Sequence, residues 1–93
     1  MEFEKTITLD DLAVILKDVM LLNRQIFLMN HDKQQFQYCT VIDFNEISKT
    51  ITIVFRDQSI PVIHKIPIET IEIIEFDFFY SYKGISAKTF IIE

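Results

Sequence analysis

Val41-Ile-Asp-Phe-Asn-Glu-Ile-Ser-Lys-Thr-Ile-Thr-Ile-Val-Phe55, VIDFNEISKTITIVF, reads as strand, turn, strand. From Thr50 to Arg56 every second side chain is apolar: Ile51, Ile53 and Phe55 face inward, while Thr50, Thr52 and Arg56 face outward. A period of two marks a half-buried strand. Upstream, Gln35 to Phe44 alternates too, with Phe36, Tyr38, Thr40, Ile42 and Phe44 on one face. Asn45 to Lys49 supplies the turn between them.

Working outward, the pattern holds to the C-terminus. Strands are predicted over 24–29, 60–66, 70–80 and 85–92, with turns at Asn30–Lys33, Asp57–Ser59 and Ser81–Gly84. The alternation slips in 70–80: Ile71 and Ile73 share a face, but Ile74, Phe76 and Phe78 occupy the other. One inserted residue moves a strand's alternation to its opposite face, so a bulge is expected at Ile73–Ile74. Before Asn23 the period is helical. Leu9, Leu12, Ala13, Leu16, Val19 and Met20 recur at steps of three and four, and Thr8 with Asp11 has the form of a capping box. A helix over about 9–22 is followed by a barrel over about 24–92, in one domain. The fold class is therefore mainly β with one N-terminal helix, a small SH3-like or Sm-like antiparallel barrel of five to six strands. The expected core is Leu12, Leu16, Val19, Ile26, Leu28, Ile42, Ile51, Ile53, Ile66, Ile71 and Ile73.

Composition narrows the function. Hydrophobic residues make up 49% of only 93, so a body this small must leave apolar surface outside, and an interface with a partner or a second copy is the expected use for it. The net charge of −5 disfavours nucleic-acid binding, which draws its affinity from lysines and arginines on phosphates. The run Glu69, Glu72, Glu75 and Asp77 reads as a solvated strand face, with an acidic surface for a basic partner as the sharper alternative. No apolar stretch reaches the roughly 20 residues of a membrane helix. The acidic opening Met1-Glu2-Phe3-Glu4-Lys5 lacks the basic start of a signal peptide, and a lone cysteine, Cys39, suits a reducing compartment, so a cytoplasmic protein is expected. Heavy use of Ile, Lys, Phe and Asn with a single glycine suits an AT-rich bacterial or phage coding sequence.

Catalytic parts are sparse. His31, His64 and Cys39 have no zinc-ligand spacing, Gly84 stands alone where a phosphate loop needs several glycines, and mid-strand Cys39 reads as a small core residue. The chain is expected to be no enzyme and to need no metal, cofactor or small-molecule substrate.

The hairpin, as Val41-Ile42-Asp43, Ile47-Ser48-Lys49 and Ile51-Thr52-Ile53, with the later Lys65-Ile66-Pro67-Ile68-Glu69-Thr70-Ile71 and Ile73-Ile74-Glu75, resembles the barrel half of the YolD-like family over about residues 26–76. That resemblance implies a protein-interaction module of bacterial or phage origin, with a replication or repair protein as its partner. The helix-then-barrel order also resembles Sm-like proteins and bacterial Hfq, with Arg24–Asn30 as the first barrel strand and Ile63-His64-Lys65 where Hfq has a basic segment. This second resemblance implies a ring that binds RNA. The bend glycine of the second Sm strand is absent from Gln35–Phe44.

Two sets of residues follow. Val14 and Leu21, seven apart, sit on the helix side opposite its core face, beside Asp10, Lys17 and Asp18. With Phe79, Tyr80 and Tyr82 they form the expected protein interface. The alternative RNA contacts are His31, Lys33, His64 and Lys65, with Phe27, Phe79, Tyr80 and Tyr82 as stacking planes.

Overall fold

The computed structural model describes residues 4–55 and 59–93. Expectations that fall on Met1–Phe3 and on Arg56, Asp57 and Gln58 lie outside the described residues. The elements in chain order are β1 (Glu4–Ile7), α1 (Leu9–Leu22), β2 (Gln25–Asn30), β3 (Gln35–Asn45), β4 (Thr50–Phe55), β5 (Val62–Pro67), a single 3-10 turn (Ile68–Thr70), β6 (Ile71–Tyr82) and β7 (Ile85–Ile92).

Helix α1 occupies the span its periodicity marks. The Thr8 hydroxyl accepts from the Asp11 amide at 3.2 Å, and the Asp11 carboxylate accepts from the Thr8 amide at 3.4 Å. These two bonds satisfy amides that the first helical turn leaves without partners. Asn23 ends the helix in the left-handed conformation, φ 54, its amide bonded to the Val19 carbonyl. Leu12, Ile15, Leu16 and Val19 are buried, and α1 packs over β3 and the 3-10 turn.

The strands form one open mixed sheet in the order β1-β7-β6-β2-β3-β4-β5. This corrects the expected five- to six-stranded closed barrel: there are seven strands, and no ladder joins β5 to β6 among the described residues. Four-residue β1 has too little alternation to register in the sequence, and it exists because the edge of β7 receives it. The pair is parallel, Glu4 beside Thr89 through Ile7 beside Ile92, and the other ladders are antiparallel. Ile7 is buried and its carbonyl accepts from the Glu93 amide at 3.0 Å.

The opening hairpin forms with two irregularities in β3. Val41 pairs with Ile53 and Asp43 with Thr52, so Ile42 is an extra residue. It points outward at 41% exposure, which removes it from the expected core, and Val41 is buried in its place. The second irregularity sets Gln37 and Tyr38 against Phe27, with Tyr38 at φ 54. After it Cys39, Thr40 and Val41 are all buried, so no strict alternation survives. In β6 the bulge falls at Glu72, between the Ile71–Asn30 and Ile73–Met29 pairs, one step before the expected site. Ile73 is consequently half-buried, and Ile74 takes the core position.

Candidate interaction surfaces

Two tyrosines tie α1 to β6, in addition to its packing over β3 and the 3-10 turn. Tyr80 and Tyr82 lie two apart on β6 and leave the strand on one face. The Tyr80 hydroxyl donates to the Asp18 carboxylate, and the Tyr82 hydroxyl donates to Asp11 at 2.5 Å. Lys83 adds an ion pair to Asp11 at 3.0 Å. Burial, reinforced by the bond to Asp18, pushes the Tyr80 hydroxyl well above the usual tyrosine value. The bond to Asp11 raises Tyr82. Asp11 is held far below the usual carboxylate range, chiefly by the Tyr82 bond and then by Lys83, whose own ammonium is raised by the same contact.

The opposite flank of α1 is tied by an ion pair between Lys17 and Glu46 of the β3–β4 turn. That turn is built on Asn45, whose side-chain oxygen accepts from the Ile47 and Ser48 amides, both at 3.0 Å. Ile47 at its tip is 97% exposed. Lys17, Met20, Phe44 and Ile47 border one shallow depression between helix and turn.

Between these flanks runs the stripe of Val14 and Leu21. Seven residues are close to two full turns, so both project the same way, directly opposite the buried face of Leu12, Ile15, Leu16 and Val19. They are 56% and 81% exposed, in keeping with the outward placement read from the sequence. They make an exposed apolar stripe along the outer side of the helix. Three of the charges beside it, Asp11, Lys17 and Asp18, already have partners within the chain.

The remaining expected interface residues do not join this surface. Tyr80 is buried, stacked on Phe76 with centroids 4.8 Å apart, and its hydroxyl is committed to Asp18. Tyr82 is committed to Asp11, and the Lys88 ammonium lies over the Phe79 ring.

The alternative RNA contacts separate into two places. His31 and Lys33 sit in the β2–β3 turn beside Glu72, at 3.7 and 2.9 Å. His64 and Lys65 lie on edge strand β5, where the His64 ring meets Phe36 and Phe55 edge-on. No group of His, Cys, Asp and Glu suited to a metal ion occurs among the described residues. Cys39 is fully buried, its thiol donates toward the Ile26 and Phe36 carbonyls at 3.5 and 3.4 Å, and burial pushes it up to about 12. A thiol that stays protonated is a poor nucleophile. No helix is long and apolar enough to cross a membrane among the described residues.

No protein-family model, curated protein or solved structure matches this chain.

Proposed function

We propose that this protein is a non-enzymatic protein-interaction module that docks another polypeptide on the outer face of α1. The observation that carries this reading is the exposed Val14–Leu21 stripe, lying opposite the core face. A helix serving only to cover the sheet has no packing reason to place leucine there. Burying the two stripe side chains contributes on the order of 3–5 kcal/mol before the costs of association. Of the charges beside the stripe, Asp11, Lys17 and Asp18 are already engaged within the chain, while Asp10 is exposed next to it. The YolD-like resemblance makes a replication or repair protein of a bacterial or phage host the partner to try first.

The Sm-like RNA-binding ring is the less favoured reading. Rings of this kind pair free strand edges between subunits. Here β7 lies along β6 and β1 along β7, so the free edges belong to β1 and β5. His31 and Lys33, moreover, face a carboxylate.

The test is Val14→Asp with Leu21→Lys, followed by solution mass and partner capture. Both positions point to solvent, so the circular dichroism spectrum should be unchanged. Conversion of an oligomer to monomer, or loss of capture, supports the docking face. A folded double variant that matches the parent in both assays removes it.

A further inference from the structure

A cleft of about 500 Å3 opens beside β2, at the point where β6 leaves it and β3 bulges. β6 stays paired with β2 from Ile71 to Glu75 and then turns away, so Gln25 and Ile26 have no partner on that side. β6 also parts from β7 here, since the Glu75–Thr89 pair is followed by Tyr80–Ala87, with four β6 residues set against one. On the other side, β3 bulges at Gln37 and Tyr38. The left-handed φ of 54 at Tyr38 is uncommon for an aromatic residue, and the ring is left 62% exposed at the cleft wall.

The lining has a definite chemistry. It presents the rings of Phe27 and Tyr38, the carboxylates of Glu75 and Asp77, and several glutamine amides, with no lysine, arginine or histidine. Phe27 and Glu75 are directly paired, so ring and carboxylate leave the sheet side by side on one face. Aromatic faces and carboxylates both attract cations, and neither offers anything to an anion. The neighbouring Arg24 already sits in this manner: its guanidinium lies 4.4 Å from the Phe78 ring centre and 3.5 Å from Asp77. The chain's net charge of −5 adds a long-range pull of the same sign.

We propose that this cleft holds the cationic side chain, an ammonium or guanidinium, of a basic segment of a partner protein. Its residues are separate from Val14 and Leu21, so the assignment stands or falls apart from the docking face of α1.

Labelled protein titrated with N-acetyl-arginine amide and N-acetyl-lysine amide, followed by nuclear magnetic resonance, tests this. Shifts should concentrate at Phe27, Tyr38, Glu75 and Asp77. N-acetyl-citrulline amide, which matches arginine in shape but has no charge, should leave them in place. Glu75→Gln and Tyr38→Gly should each weaken binding by about fivefold, the scale of one cation–aromatic or surface charge contact. Tyr38→Gly should stay folded, because glycine accepts the left-handed conformation without strain. A short lysine- and arginine-rich peptide should bind more tightly than either single-residue probe. Equal response to citrulline, or binding indifferent to both substitutions, overturns the cation site. A peptide no tighter than the free amides overturns the protein partner.

Discussion

At the scale of single residues, the left-handed positions show where backbone cost has been accepted. Lys83 and Gly84, at φ 51 and 79, form the two-residue turn between the paired Tyr82 and Ile85. Both central residues of such a turn need positive φ, and its twist suits an antiparallel hairpin. A Cβ on Gly84 meets nothing within 4 Å, so Gly84→Ala measures the backbone term alone. It should cost about 1 kcal/mol, read as a lower urea midpoint with an unchanged slope. An unaltered midpoint shows that the turn does not hold this conformation. The glycine was legible as a turn, but the sequence placed Tyr82 in it as well. Ser81 and Tyr82 instead extend β6 by two residues, paired with Ser86 and Ile85, and the bond of Tyr82 to Asp11 rewards that extension.

At the scale of elements, α1 is the part whose placement the sequence could not show. Thr8, Asp11 and the apolar spacing name the helix and its start, since those signals lie within a dozen neighbouring residues. Its attachment combines packing over β3 and the 3-10 turn with tethers from Tyr80 and Tyr82, more than sixty residues away. Tyr80→Phe keeps the stacked ring and leaves the partly buried Asp18 without its donor. The loss should be roughly 1.5–3 kcal/mol, the range for hydrogen bonds to charged groups. Thermal unfolding of Tyr80→Phe identical to the parent's excludes the tether.

The tether also predicts a pH profile. Asp11 is depressed in the folded state, so its contribution is present above the unfolded aspartate value near 4 and is lost as pH falls through the lower folded one. Tyr80, Tyr82 and Lys83 are raised, so theirs are present below about 10 and are lost as pH climbs through the raised values. Relative to Asp11→Asn, the parent's stability advantage should hold steady near neutrality and shrink below about pH 4. An advantage that widens in acid contradicts the assignment.

At the scale of the whole molecule, charge and shape lead to one further expectation. The chain should show no salt-sensitive affinity for single-stranded RNA or duplex DNA at physiological salt, since its net charge is −5 and its basic residues are scattered, with Lys17, Arg24, Lys33 and Lys83 each beside a carboxylate of the chain itself. Sub-micromolar binding in fluorescence anisotropy would restore the Sm-like reading. The sequence by itself determined the class of each long element, the capped helix, the opening hairpin and the outward stripe of Val14 and Leu21. These depend on periodicity and on neighbours within one or two turns, which a linear chain carries openly. Only the tertiary structure decided that β1 joins β7, that Ile42 and Ile73 leave the core, that Tyr80 is an anchor and that a cleft opens beside Tyr38. Each of those depends on which strand lies alongside and where the ladder slips. The slip of alternation in β6 shows in that strand alone, but the residue at which a bulge falls is set by the fit between two strands.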